Sequence, residues 1–415
     1  MDTGTDQRSS MNRTRITLSA FLAYFCVSGV LSTFGLISGP MAQHFAVEVT
    51  QITRGFGWFT FGMLIGAGLA IELVDRFPLR TLLITTFLIV ALCLGSMVRT
   101  GSLMLIWPMF GIAGICLGIG LATAASTIAR SYAPEPRASM LVMTDACFSL
   151  AGKLCAALAL LFLGHQWHWS SGYWIVASAA AVVVLLAMMS NYPEVSASES
   201  PLKDAPDQQS NINLRASTQV FSSVWTLNIG LCIAALCLYT LGQYAMLWWL
   251  PQHLQASVQA SPAEAGAVVG QFWLGMFWAQ LVVAWWVLKV GATRLVLVSA
   301  ISAAVCSVPL WLTTDLQWIP WLGALWGFGN LAFLKIAISF ATELQASPSP
   351  RLVSALLFGA TSGTAISPWV TSQIVESFGT ATVLRFSTLC YCLIVVIMSV
   401  VVFRRAGNKP VLAPG

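Results

Sequence analysis

Apolar runs of about 20 residues, the length that crosses a bilayer as a helix, recur along the whole chain and are parted by short polar, Gly or Pro-containing stretches. Read with a window of about 19 residues, they predict helical spans at 16–38, 55–74, 80–98, 102–128, 138–163, 170–190, 223–249, 264–288, 292–312, 317–342, 352–375 and 381–403. One long segment lacks apolar periodicity. It is rich in Ser, Pro, Asp and Glu and reads as a flexible linker over 191–222. The pattern divides the chain into an N-terminal tail (1–15), a six-helix bundle (16–190), the linker, a second six-helix bundle (223–403) and a C-terminal tail (404–415).

Composition narrows the picture. Of the 415 residues 57% are hydrophobic and 8% charged, and the mean hydropathy is +0.80. So few charges cannot clothe a soluble globule of this size, which excludes a cytosolic enzyme, a nucleic-acid binder and a disordered chain. The expected fold class is an all-α integral membrane protein with twelve spans. If the N-terminus is cytoplasmic, fifteen Lys and Arg fall on the cytoplasmic side, against Arg54, Arg99 and Arg385 outside and two within spans. The positive-inside rule therefore puts both termini in the cytoplasm. The ten Cys all lie within hydrophobic runs with no C-x-x-C, and read as small core residues. The apolar run after the polar first fifteen residues has no small-residue cleavage site, so no removable signal peptide is expected.

The two halves repeat. Ala-Pro-Glu-Pro-Arg, ending at Pro136 and Arg137, matches Ser-Pro-Ser-Pro-Arg, ending at Pro350 and Arg351, at an offset of 214. Near that offset Ala20 and Tyr24 match Ala235 and Tyr239, and Gly62-Met63 matches Gly275-Met276. A duplicated six-span unit in parallel orientation explains this, because an even number of spans returns the chain to the same side.

The loop Asp75-Arg76-Phe77-Pro78-Leu79-Arg80 is similar to the cytoplasmic D-R/K-x-G-x-R loop of the major facilitator superfamily, with Pro78 at the central Gly; Lys289 to Arg294 is its counterpart after span eight. Met143 to Gly152, Leu238 to Gln243, Trp249-Leu250-Pro251, Ala265-Gly266 to Phe272-Trp273 and Pro348 to Val353 resemble the TsgA-like transporters, near the fucose:proton symporter branch. The resemblance runs over nearly the whole chain. It implies the major facilitator fold, two pseudo-symmetric bundles, and a secondary-transport role, with Asp75, Arg76 and Arg80 as a gating loop. Span one holds only Tyr24, Ser28, Ser32 and Thr33 as polar groups, so it lacks the acidic residue on which the fucose branch relies.

An ionised side chain at mid-membrane costs about 3 kcal/mol on insertion scales and needs a partner, a cavity or a purpose. Asp145, Lys153 and Lys335 are such residues. Asp145 in span five and Lys335 in span ten lie at similar depths, and in the resembled architecture their spans face each other across the halves. A gating ion pair that breaks as the cytoplasmic side opens is expected; the alternative is a hydrogen bond of Asp145 within its own bundle. Lys153 is deeper and does not pair with Asp145. The excess positive charge points to an anionic solute, with a proton on Asp145 as the coupling ion. Gln243, Gln271 and Asn330, and also Asn228, Gln280, Ser362 and Thr364, are polar candidates for the cavity; amides in spans also glue helices together. Trp273 and Trp278 could stack on a ligand, while Trp248, Trp249, Trp285 and Trp286 suit interfacial belts. All four His fall on the outer side, and His165-Gln166-Trp167-His168 lacks a further metal ligand nearby. With no phosphate loop and no nucleophile elbow, neither an enzyme, a cofactor nor a metal is expected.

These features together predict a monomeric secondary transporter of a small polar, anionic solute in a bacterial inner membrane. It would be proton-coupled and work by alternating access. Its partners would be the solute, the proton and the lipid bilayer, and not nucleic acid. The alternatives are efflux of amphipathic or drug-like compounds and a solute sensor that does not transport.

Overall fold

Twelve helices long and apolar enough to cross a membrane are present in the computed structural model: Met11–Phe45, Val49–Arg76, Leu79–Arg99, Leu103–Ser131, Met143–Gly164, Trp169–Met188, Leu227–Ser257, Pro262–Trp286, Ala292–Leu312, Ile319–Thr342, Leu352–Phe378 and Thr380–Arg405, spans one to twelve. The structure describes residues 3–132, 134–192, 227–345 and 350–407, among which there is no strand. Nearly all of the expected linker, with Lys203 and Arg215, lies outside the described residues, as do Lys409 and most of the Ser-Pro-Ser-Pro stretch.

Several edges differ from the sequence expectation for identifiable reasons. The first helix runs unbroken over Thr3–Phe45, so the backbone of the expected N-terminal tail is helical from residue 3, and span one itself begins at Met11. Pro40 lies inside that helix; buried neighbours at Ile37 and Met41 hold it in place although the ring removes a backbone hydrogen bond. Span two begins at Val49, six residues earlier than its apolar run, through a polar turn Val49–Gly55 that abuts the main helix Gly57–Arg76. Span seven continues through Pro251 to Ser257.

Within each half the same helices pair: one with five and six, two with four, and three with six, mirrored by seven with eleven and twelve, eight with ten, and nine with twelve. The duplication is visible at atomic level. A Cβ at Gly114 would overlap the Phe59 carbonyl oxygen, and one at Gly327 the Phe272 carbonyl oxygen, 213 residues later in each case. Only glycine allows the backbones of spans two and four, and of eight and ten, to touch in this way. The Gly-Met match read from the sequence lies on these same crossings, through Gly62 and Gly275.

The two bundles meet along one seam. With an even number of spans both chain ends lie on one side, here called the terminal face, and the other is the far face. On the far face the seam is closed. Trp248 donates its indole N–H to the Leu31 carbonyl at 3.2 Å, and Gln252 donates to Ser38 at 3.0 Å. Thr60 donates to the Ala365 carbonyl at 3.2 Å, and Arg54 pairs with Glu376 at 2.5 Å. Toward the terminal face, the side-chain bonds that cross the seam among the described residues are Asp145 to Lys335 and Ser149 to Gln280 at 3.2 Å.

Candidate functional site

Span ten is broken where it passes the seam. Its first helix, Ile319–Gly329, ends at Asn330, and its second, Phe333–Thr342, starts after Leu331 and Ala332. Both intervening residues have left-handed backbone, with φ of 43° and 52°, a conformation that costs roughly 1–3 kcal/mol for residues with a Cβ. Non-helical backbone at membrane depth persists only where protein or a cavity surrounds it. Asn330 caps the first helix: fully buried, it donates its amide N–H to the Trp326 carbonyl at 2.6 Å, while its backbone carbonyl accepts from the Phe333 N–H across the break at 2.8 Å. Its own Oδ1 has no partner among the described residues.

The break aims Lys335, the third residue of the second helix, across the seam. Its Nζ lies 3.0 Å from Asp145 Oδ2 in span five, so the two charges whose meeting the sequence left open are paired. Half of the Lys335 side-chain surface is reachable by solvent, against 18% for Asp145. With the far face sealed, that opening lies on the terminal side of the seal. Tyr24 of span one completes the cluster; its hydroxyl bonds Thr144 and lies within electrostatic reach of both charges.

Lys153, two turns beyond Asp145, takes a different environment. Its chain lies over Gly270 of span eight, where an added Cβ would come within 3.3 Å of Nζ. It has no ion-pair partner among the described residues. Gln271, next to Gly270, is half-buried, and Gln243 is buried in span seven. Trp273 does not offer its face to a cavity. Its indole lies directly on Gly152, with the Phe148 ring edge-on at 5.6 Å, so it is a buried wall between spans five and eight. Trp278 is exposed on the outside of the bundle. In this conformation neither Trp, both read from the sequence as able to stack on a ligand, faces a cavity: the Trp273 ring packs on the glycine at 152 in the seam. Trp248 and Trp249 are likewise buried, not interfacial; Trp249 donates to Thr371 at 2.8 Å. Trp285 is exposed as a belt residue is, with Lys289 over its ring at 3.7 Å.

The loop Asp75-Arg76-Arg80 makes its hydrogen bonds and ion pairs, among the described residues, inside the N-terminal bundle. Asp75 pairs with Arg130 at 3.4 Å and Arg76 with Glu72 at 3.2 Å, while Arg80 donates to the Met188 carbonyl at 2.7 Å. The second bundle has a parallel tie, Arg405 to Glu343 at 3.0 Å. On the far face His168 sits 4.9 Å from His44, ring to ring, and no group of three or more metal-ligating side chains occurs among the described residues. Burial and the neighbouring His44 hold His168 below the usual histidine range.

The sequence did not disclose the break in span ten or the Arg54–Glu376 tie. Leu331 and Ala332 carry no turn signal, and Arg54 and Glu376 are ordinary end-of-span charges until the two halves are docked.

This arrangement, a solvent-reachable charge pair between two repeats beside a broken helix, suits a carrier that binds solute at its midplane. The comparisons agree with it. The chain is 26% identical to the Protein TsgA homolog of Citrobacter koseri over 409 residues, covering 97% of this chain and 99% of that one. It is 27% identical to Protein TsgA of Shigella boydii over 396 residues, 94% and 95% of the two chains. The crystal structure of a mutant of the nucleoside transporter NupG superposes with a TM-score of 0.69 over 96% of this chain and 100% of that one at 12% identity, a likeness of fold. A family model described as the Na+/H+ antiporter family matches residues 330–407. The Major Facilitator Superfamily model matches residues 20–257, more than half of the chain; with its twelve spans in two repeated bundles, this non-enzymatic, multi-pass membrane transporter belongs to that superfamily.

Proposed function

We propose that the protein is a proton-coupled secondary transporter of a small polar, anionic solute, working by alternating access in a bacterial inner membrane with both termini cytoplasmic. The observation that carries the reading is the Asp145–Lys335 pair across the seam. While Asp145 is ionised it occupies the Lys335 ammonium. A proton on Asp145 removes its charge and frees Lys335 for a carboxylate or similar anion, so proton and solute binding favour each other. The positive end of the Phe333–Thr342 helix dipole adds to the attraction. Lys153, without a carboxylate partner, supplies a second cationic group in the same seam, and Gln243, Gln271 and Asn330 are polar groups toward which a solute would turn. When the terminal side closes for the opposite half of the cycle, the pair is the contact that must re-form or exchange, which gives it a gating role too.

The test is a thermal-shift screen of detergent-purified protein against neutral sugars, organic acids, acidic chelators and amphipathic cations, near pH 5.5 and 7.5, because bound ligand raises apparent stability by mass action. Stabilisation by anions alone, abolished in Lys335→Met and reduced in Lys153→Met, is expected. Stabilisation by sugars or cations with both lysines dispensable would sink the anion assignment and favour efflux of amphipathic compounds.

A second reading concerns the coupling ion. The Na+/H+ antiporter family match begins at residue 330, where the Asn330 oxygen is buried without a partner. Coupling to Na+ at the break in span ten would show as stabilisation by Na+ over K+ at constant ionic strength, lost in Asn330→Ala.

A further inference from the structure

The far face carries a second feature, independent of the central pair. Between spans two, four and eleven runs a crevice of ≈ 440 Å³ lined by apolar groups, among them Trp58, Phe61, Ile65, Ile112, Ile115 and Trp369. Its floor includes Gly57, Gly62 and Gly111; Gly62 lies against the Gly111 carbonyl and Gly57 against the Trp369 indole, so the floor there is bare backbone. Trp58, Phe61, Ile65, Ile112 and Trp369 are all exposed, and in a membrane protein such residues face lipid. At its outer end the crevice shares Trp369 with a shallow basin lined by Arg54, Val370, Gln373 and Ile374, where the Arg54 guanidinium meets the Glu376 carboxylate.

Length and charge together select an occupant. Arg54 lies in the first turns of span two and Glu376 in the last turn of span eleven, and the ends of membrane-spanning helices are where headgroups sit. From Arg54 to Ile65 is eleven residues, about 16 Å at 1.5 Å per residue, which matches one leaflet of a hydrocarbon core about 30 Å thick. One Arg N–H is committed to Glu376 and the other guanidinium N–H groups have no acceptor among the described residues; Glu376 likewise accepts from Arg54 alone. A phosphate can take the free guanidinium donors while an ammonium takes the free carboxylate oxygen, leaving the Arg–Glu bond in place. A purely anionic headgroup satisfies Arg54 and is repelled by Glu376.

We propose that this crevice is a binding site for one zwitterionic phospholipid of the ethanolamine type from the far-face leaflet, its phosphate on Arg54, its ammonium on Glu376 and an acyl chain laid along Trp58, Phe61 and Ile65. Because lipid tails are as apolar as the crevice, the hydrophobic effect does not favour the site over bulk bilayer. Selectivity therefore resides in the headgroup and retention in the fit of the chain. As Arg54 and Glu376 belong to different bundles, the lipid bridges the seam on its lipid-facing side and favours the far-closed arrangement.

The full chain is reconstituted into nanodiscs holding equal phosphatidylethanolamine and phosphatidylglycerol, extracted in mild detergent and weighed with its retained lipid by native mass spectrometry. The expected result is one phospholipid per chain, with the ethanolamine lipid favoured about tenfold, corresponding to about 1.4 kcal/mol, and the preference falling to parity in Arg54→Gln/Glu376→Gln. Ile65→Trp, which fills the crevice without touching the ion pair, is expected to empty the site; Ile112→Trp is the second variant should the first not fold. Equal retention of the two lipids by the wild type, or undiminished occupancy in the Trp variants, would overturn the assignment.

Discussion

Replacing Lys335 by Met removes one partner of a charge pair separated by 3.0 Å. The Coulomb attraction at that distance is about 1.4 kcal/mol in a water-like dielectric and about 5.5 kcal/mol at an effective dielectric of about 20. Half of the Lys335 side chain is solvent-reachable and Asp145 is 18% exposed, so screening pulls the value toward the lower bound and a coupling near 2 kcal/mol is expected. Loss of one partner of a deeply buried pair costs about 3–5 kcal/mol because a charge is stranded, and the solvent opening reduces that here. With about 2–4 °C per kcal/mol for a folding unit the size of one bundle, Lys335→Met and Asp145→Asn should each lower the melting temperature by about 4–8 °C. Lys335→Met should do the greater harm, since it strands the less exposed group. The neutral double variant Asp145→Asn/Lys335→Met should recover most of the loss, which a double-mutant cycle on detergent-purified protein reads directly. The swapped pair Asp145→Lys/Lys335→Asp should regain transport that either single change removes. If the single variants melt with the wild type, or their losses simply add, the two residues do not act as a pair.

Breaking the far-face tie with Glu376→Gln should loosen the seal there: a cysteine placed at the buried Ser38 should react with an impermeant maleimide about 2–5-fold faster, as suits a partly exposed pair contributing up to about 1 kcal/mol. Gly114→Ala and Gly327→Ala, each forcing a Cβ onto a facing carbonyl, should destabilise their bundles to similar extents, by about 1–3 kcal/mol, seen as a drop in thermal midpoint. His168 titrates below its usual 6.5, so the unfolded chain binds more protons in acid; stability from this group is complete above about pH 6.5 and lost as the pH falls below it. His168→Gln should therefore flatten the decline in melting temperature between about pH 7.5 and 5.5; an unchanged slope would refute the role given to that imidazole.

The membrane class, the twelve spans, the duplication and the two charges that meet were legible because each leaves a one-dimensional mark: apolar length, Lys and Arg bias, repeated Gly-Met and Pro-Arg pairs, and ionised residues where none is cheap. What could not be read depends on how helices face one another. Trp248 and Trp249 have the spacing of an interfacial belt, yet Trp248 packs against the glycine at position 35 and donates into span one. Trp273 looked available to a ligand until Gly152 was found beneath its ring. The break at Leu331 and Ala332 is the clearest case. Neither residue favours left-handed backbone, so local sequence argued for one continuous helix, and the surrounding packing imposed two.

The glycine crossings govern how the molecule can move. Where the backbone of span two lies on span four, and that of span eight on span ten's first helix, there are no long side chains to change rotamer and absorb a slide. Each pair turns as a stiff plate, and the compliance of the bundle is displaced to places without such contacts, chief among them the short gap before Phe333. The second piece of span ten, carrying Lys335, can thus tilt on its own while the first stays bolted to span eight. Small displacements at the charge pair would then be met by a local hinge before either plate has to rotate, so a solute could be gripped early and the large motion follow.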